Sequence, residues 1–214
     1  MRTMTMRSKA GWGVMMFLVV ALVLSSVRYF MTPEAYFPRQ QLTYEAKQFF
    51  ILSHIAFMMV GVLMGPFQFL RSFREKHRGT HRTMGKVYLV ASTIGATFGL
   101  YMSFYSASDA WSGVAFGLLA LGVLSTNYMA YTAIRRRDIT QHREWMTRSF
   151  AFMLAAVTLR IYLFPLEAAF GEYTGYAIVA WASWVPNVIV AEWVIRKQRR
   201  GGTEPRLGAA VATA

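Results

Sequence analysis

Six apolar stretches, separated by polar connections, constrain this chain more than any other feature. A membrane-spanning helix needs about 20 residues, and each stretch is close to that length. They cover residues 11–30, 48–70, 87–105, 111–134, 149–166 and 176–195. The sequence therefore predicts an all-α integral membrane protein: a single domain over residues 1–200 with six transmembrane helices. The remainder, residues 201–214, is rich in Gly, Ala and Thr and is expected to be a disordered tail.

The basic residues predict how these helices are oriented. Nearly all of the 23 Lys and Arg residues lie before the first stretch, in the connections 71–86 and 135–148, or after residue 195. The exceptions are Arg28, Arg39, Lys47 and Arg160. Because cytoplasmic flanks retain positive charge, both termini are predicted in the cytoplasm of a multi-pass protein of the cell inner membrane. The net charge of +13 then indicates contact with anionic lipid headgroups rather than with nucleic acid.

The first stretch has a second interpretation. Arg2, Arg7 and Lys9 precede an apolar run, as in a secretory signal peptide. The run is long for a signal peptide, and only a weak cleavage site exists around Ser25 and Ser26. We therefore expect this stretch to be retained as an anchor.

Glycines recur four residues apart in three of the stretches. The pairs are Gly61 with Gly65, Gly95 with Gly99, and Gly113 with Gly117. Glycines at this spacing let two helix backbones approach closely. The sequence therefore predicts that the second, third and fourth helices pack tightly together.

His54 is the only histidine inside an apolar stretch. It lies seven residues past Lys47, roughly 10 Å into the membrane from the outer boundary. Its helical face continues through Gly61 and Gly65 to Gln68, so we expect His54 to face the bundle interior. A neutral imidazole there can ligate haem, hydrogen-bond a quinone, or simply bond to a neighbouring helix. Since the chain has no cysteine, thiolate ligands and covalent haem attachment are excluded.

Arg160 is the second polar residue at this depth. It precedes Glu167 by seven residues, again roughly 10 Å, and Glu167 is its nearest predicted partner. A charged side chain so deep in a bilayer usually faces protein or water. His54 and Arg160 are therefore predicted to form a site in the outer half of the membrane. The alternative is an arginine that snorkels or makes a structural ion pair.

Two basic segments precede the third and fifth stretches. One contains His77 and His81, and the other contains His142. Arginines at helix N-termini attract phosphate groups or haem propionates, and three imidazoles are able to bind a metal. No carboxylate or thiolate motif indicates a particular metal, and arginines at an interface also attract anionic lipid headgroups. His81 and His142 are therefore candidate cofactor-binding residues, in addition to His54 and Arg160.

Several of these segments carry a family resemblance. They are His54-Ile55, 65–70 (GPFQFL), 81–88 (HRTMGKVY), 130–131 (AY), 134–138 (IRRRD), 142–148 (HREWMTR) and 155–160 (AAVTLR). Together they resemble a bacterial membrane family known as domain of unknown function 2306. The resemblance implies a multi-helix membrane protein without an established activity. The architecture is also loosely similar to b-type cytochrome bundles, but the fourth and sixth predicted helices contain no histidine.

Three functions follow from these residues. The first is a redox or accessory protein that binds one b-type haem or a quinone, either at His54 and Arg160 or, for a haem at the other membrane edge, at His81 and His142. The second is a transporter or lipid-handling protein in which Arg160 meets an anionic substrate. The third is a structural subunit whose polar residues only fix helix packing. The sequence decides neither the presence of an enzymatic activity nor the oligomeric state.

Overall fold

The computed structural model describes residues 6–32, 41–106 and 109–202, and the regular structure in these ranges is entirely α-helical. The tail after residue 202 and the predicted basic residues Arg2 and Arg39 lie outside the described residues. In chain order, the helices within the described ranges are α1 (Met6–Met31), α2 (Gln41–Gln68), α3 (Arg71–Lys76), α4 (Arg78–Ser103), α5 (Ala110–Arg135), α6 (Ile139–Met153), α7 (Ala155–Phe170), α8 (Glu172–Ala182) and α9 (Val185–Gly202).

Five helical units in the described ranges are long and apolar enough to cross a membrane. They are Lys9–Met31, Glu45–Gln68, Ala110–Arg135, Ile139–Phe170 and Glu172–Arg200. These units contain five of the six predicted stretches. The third stretch lies in α4, which has 26 residues but is less apolar than the others.

The weak hydropathy of α4 follows from what it buries. This helix packs between α2 and α5, so much of its surface meets protein rather than lipid. Its buried residues are mostly small or polar: Tyr88, Ala91, Ser92, Gly95, Ala96 and Ser103. Small side chains permit close helix contact in membranes, and polar ones are satisfied by neighbouring helices.

The paired glycines lie at these close contacts, as predicted. A Cβ atom at Gly95 would lie 2.9 Å from Met58 Sδ on α2, and one at Gly113 would lie 2.8 Å from the Ser103 carbonyl oxygen at the end of α4. At Gly65, a Cβ atom would overlap the ring of Phe150 on α6. The predicted packing of α2, α4 and α5 is therefore confirmed, and α6 joins the same core.

Two of the spanning units are interrupted. α6 ends and α7 begins around Leu154, and α8 is separated from α9 at Ser183. Between these breaks, α7 and α8 form a hairpin that turns at Gly171, where a φ of +80° favours glycine. A Cβ atom at Gly175 would lie 2.6 Å from the backbone nitrogen of Glu167. The backbones of α7 and α8 are therefore in direct contact at Gly175 and Glu167.

Ion pairs join α6 to α9 at the basic end of the bundle, which is the end that carries the connections 71–86 and 135–148. Arg148 makes a two-pronged contact with Glu192, with Nη2 lying 3.1 Å from Oε2. One turn earlier on α6, Glu144 accepts hydrogen bonds from Arg199. These contacts connect the start of the fourth spanning unit, Ile139–Phe170, to the end of the fifth, Glu172–Arg200.

Candidate functional site

A chain of buried polar side chains joins α4, α5 and α6. Tyr88 Oη lies 2.7 Å from Ser149 Oγ, which in turn donates to Asn127 Oδ1 over 2.6 Å. The Asn127 amide nitrogen donates to Ser92 Oγ at 2.8 Å and to Thr93 Oγ1 at 3.1 Å. Polar side chains buried in a bundle are stable only with such partners.

The donors in this chain have one consistent assignment. A hydroxyl has a single proton. Ser149 gives its proton to Asn127, so Tyr88 must be the donor to Ser149. Ser92 gives its proton to the backbone carbonyl of Tyr88, 2.7 Å away. The donors of Tyr88, Ser92, Asn127 and Ser149 are all used, so these residues fix the packing of three helices.

His54 bonds to a neighbouring helix. Its Nδ1 lies 2.8 Å from the carbonyl oxygen of Gly95, which makes Nδ1 the protonated nitrogen of the neutral ring. The ring also lies beside Gly99, where a Cβ atom would come within 2.8 Å of Nδ1 and Cε1. The remaining nitrogen, Nε2, is therefore an acceptor. It can ligate a metal or accept a proton from a quinol, but it cannot donate to a quinone carbonyl.

Arg160 bonds both to α1 and to a carbonyl of its own helix. Its guanidinium donates to Ser26 Oγ at 3.1 Å and to the Ala156 carbonyl at 3.0 Å, and it also interacts with the Tyr29 hydroxyl. Within the described residues no contact joins it to Glu167. The predicted Arg160–Glu167 pair is therefore wrong. The side chain of Arg160 is otherwise exposed on the outer surface of the bundle.

Counting residues from one helix contact gives the two residues a similar distance along their helices, but they do not share an interface. The packing of Gly61 against Met153 aligns α2 with the chain that leads into α7. His54 precedes Gly61 by seven residues and Arg160 follows Met153 by seven, so both lie roughly 10 Å beyond that contact. Laterally, however, His54 faces α4 and Arg160 faces α1.

At the basic end, His81 and His142 are electrostatic neighbours. His142 Nδ1 donates to the Ala130 carbonyl at 2.9 Å. His81 Nδ1 is buried and has no hydrogen-bond partner in the described part of the chain. Burial, reinforced by the positive charges of Arg74 and Arg82, holds the pKa of His81 below its usual value. Burial and the neighbouring positive charges therefore disfavour the charged form of His81.

A family comparison extends over most of these residues. A family model described as "Predicted membrane protein (DUF2306)" matches residues 51–195. The chain belongs to this family. No curated protein and no solved structure matches the chain. The matched segment of this DUF2306 protein runs from α2 into α9 and includes His54, His81, His142 and Arg160, whereas Ser26 lies before it.

The DUF2306 chain also contains a groove between α1, α7 and α9. Its volume is about 400 Å³, and its walls are mainly apolar, including Val14, Leu18 and Val157. Its polar lining is Thr158 and Asn187, which hydrogen-bond to each other at 2.9 Å. Ser26 lies about two turns beyond Leu18 on α1, so the Arg160–Ser26 contact joins α1 to α7 at one end of this groove.

Two features of this DUF2306 protein were not predicted from the sequence, and one predicted feature is not formed. The two are Ser26 as the partner of Arg160 and the network around Asn127, although isolated polar residues inside apolar stretches were a signal for both. The proposed three-imidazole cluster is also not formed. No group of three or more His, Asp or Glu side chains in the described ranges is arranged to bind a metal.

Proposed function

We propose that this DUF2306 protein binds an anionic amphiphile, such as a phospholipid, with Arg160 holding the anionic group. The observation that supports this function is the surroundings of the guanidinium. In the described ranges its hydrogen-bond partners are oxygens that carry no charge, on Ser26, Ala156 and Tyr29. A guanidinium has five N–H donors, so it retains capacity for an oxyanion.

The position of Arg160 favours a lipid ligand. A charged side chain within the hydrocarbon region raises the free energy of the folded protein by roughly 3 kcal/mol or more, unless an opposite charge or water reaches it. The side chain is exposed on the surface that faces lipid, so an anionic headgroup can approach it from the bilayer. The adjacent groove of about 400 Å³ offers an apolar surface for an acyl chain.

This function requires the topology predicted from the charges. We propose that α4 is the sixth span, because it is enclosed by α2 and α5, two of the units that are long and apolar enough to cross. With both termini in the cytoplasm of an inner membrane, the basic end meets anionic headgroups and Arg160 lies in the outer half. Reporter fusions after Ser106 and Arg136 should then report opposite sides, and the same side at both positions would contradict six spans.

The lipid proposal is tested by thermal stability in detergent. Phosphatidylglycerol should raise the Tm of the wild-type protein more than phosphatidylcholine does. A ligand present at 100 times its Kd stabilises by about 2.7 kcal/mol, which for a chain of this length is a rise in Tm of roughly 5–10 °C. Arg160→Gln should lose much of the difference between the two lipids, and Arg160→Lys should retain part of it.

Arg136→Gln is the matched control. It removes the same charge from an exposed loop at the opposite end of the bundle, so it should respond to phosphatidylglycerol as the wild type does. An Arg160→Gln protein whose lipid response equals that of Arg136→Gln would refute the lipid proposal.

A redox function is the second candidate, and one observation favours it. His54 donates from Nδ1 to a backbone carbonyl, the arrangement that orients histidine ligands in metal sites. After haem-supplemented expression, a b-type reduced-minus-oxidised spectrum lost in His54→Ala would support this function. Loss in His81→Ala or His142→Ala would instead place the haem at the basic end. A flat spectrum without bound iron would exclude haem and leave binding of a quinol, with His54 Nε2 accepting a hydrogen bond from its hydroxyl, as the remaining option.

A further inference from the structure

We propose that the basic end of the bundle contains an oxyanion site, formed by Gln68, His81 and Arg74 and bordered by His142, that binds a phosphate group. This site is separate from Arg160. It lies where the end of α2, the short helix α3 and the starts of α4 and α6 meet. It does not depend on the proposed role of Arg160.

The buried amide of Gln68 carries this inference. Gln68 is only 8% exposed, yet its Nε2 has no hydrogen-bond partner among the described residues. A buried amide without a partner is strongly destabilising, so such groups in native proteins usually have a ligand, an ion or a water. Because Nε2 is a donor, the missing partner has to be an acceptor.

A second buried atom nearby lacks a partner as well. The Gln68 side chain lies against Gly85, where a Cβ atom would be 3.7 Å from Oε1. His81 is one turn earlier on the same helix, and its Nδ1 is also buried and unpartnered in the described structure. Nδ1 carries the proton in one neutral tautomer and in the charged ring, so it can donate to the same ligand.

The charge around these two atoms selects an anion. The charged and titratable groups that act on His81 are Arg74, Arg82 and His142. Arg74 also reaches the Gln68 carbonyl, with 3.4 Å between Nη1 and O, so its guanidinium is positioned at the site. Amide, imidazole and guanidinium donors together match the acceptor oxygens of a phosphate. Its source is either a lipid headgroup or free phosphate.

The test compares the purified full-length protein with Gln68→Leu, which removes the amide and keeps a similar volume. Without phosphate, Gln68→Leu should raise Tm, because a buried unpaired donor has been replaced by an apolar group. Inorganic phosphate should raise the Tm of the wild type, and the Kd for phosphate should be at least about tenfold weaker in Gln68→Leu, the effect expected for one hydrogen bond to a charged group. Arg136→Gln serves as the charge control and should bind phosphate like the wild type.

A parallel comparison identifies the source of the phosphate group. The same proteins are placed in phosphatidylcholine nanodiscs with and without phosphatidic acid, in both wild-type and Arg160→Gln backgrounds. A Gln68-dependent rise in Tm with phosphatidic acid but not with inorganic phosphate identifies a headgroup site, and the reverse identifies free phosphate.

The oxyanion proposal fails if neither ligand gives a Gln68-dependent response. It also fails if Gln68→Leu lowers Tm in the absence of phosphate, since the amide would then already have a structural partner such as a bound water. Because the Arg160→Gln background is measured separately, failure here leaves the lipid proposal standing, and failure of the lipid proposal leaves this one standing.

Discussion

Replacing Asn127 by alanine should destabilise the bundle more than any other single change in its polar network. The substitution removes hydrogen bonds to Ser149, Ser92 and Thr93, which tie α5 to α6 and α4. Hydrogen bonds between membrane helices average about 0.6 kcal/mol and reach about 1.7 kcal/mol, so three of them amount to roughly 2 kcal/mol or more. For a chain of this length, a loss of roughly 2 kcal/mol corresponds to a fall in Tm of about 4–8 °C.

The direction of the hydrogen bonds makes the prediction sharper. Ser149→Ala leaves a buried donor on Tyr88 and a buried acceptor on Asn127 without partners, whereas Tyr88→Phe leaves only an unused acceptor on Ser149. Tm, measured by tryptophan fluorescence in one detergent, should therefore fall more in Ser149→Ala than in Tyr88→Phe. Ser125→Ala is the control, because its exposed hydroxyl bonds only within its own helix, to Gly122. A Tyr88→Phe protein that loses as much as Ser149→Ala would refute the assigned donor order.

Three further changes test other parts of the fold by Tm. Gly175→Ala should lower stability by about 1–3 kcal/mol, because the added methyl group meets the α7 backbone, whereas Gly79→Ala, which meets open space, should be tolerated. Arg148→Met should lower stability by about 1–3 kcal/mol through loss of its contact with Glu192, while Arg143→Met, on the exposed face, should be nearly silent. The pKa of His81 is below its ordinary value of 6.5, so the folded protein takes up protons less readily than the unfolded chain. The stability that His81 contributes is therefore present above pH 6.5 and is lost as the pH falls below 6.5. In phosphate-free buffer, Tm should fall less steeply below pH 6.5 in His81→Gln than in the wild type. Equal slopes for the two proteins would contradict this reasoning.

The parts of the fold that depend on local composition were predictable from the sequence. The paired glycines indicated close packing correctly, because the lack of a side chain has the same steric meaning in any helix pair. The equal depth of His54 and Arg160 stays a prediction, because it follows from counting residues along each helix. The third apolar stretch was correctly expected to be helical.

Lateral contacts were not predictable in the same way. Spacing along one helix suggested Glu167 as the partner of Arg160, but the observed partner, Ser26, is 134 residues away in the chain. The helix face on which His54 lies was predicted correctly, but only the structure shows that its Nδ1 donates a hydrogen bond to the Gly95 carbonyl. Likewise, the sequence placed Gln68 on a packing face of α2. The hydrogen-bond partners of its amide depend on α3, α4 and α6, which spacing along α2 does not describe.

The modest hydropathy of α4 has a consequence for how the chain is made. A segment moves from the translocon into lipid according to its own hydropathy. The hydropathy of α4 is lower than that of α2 and α5. Its polar atoms are satisfied by α5 and α6, which are synthesised later. As the proposed sixth span, α4 should therefore depend during synthesis on α2, whose Met58 and His54 fit against its glycines, and the two should enter the bilayer as a hairpin. Ribosome-bound chains that end shortly after α4 would retain it in the membrane only when α2 can still pack against it.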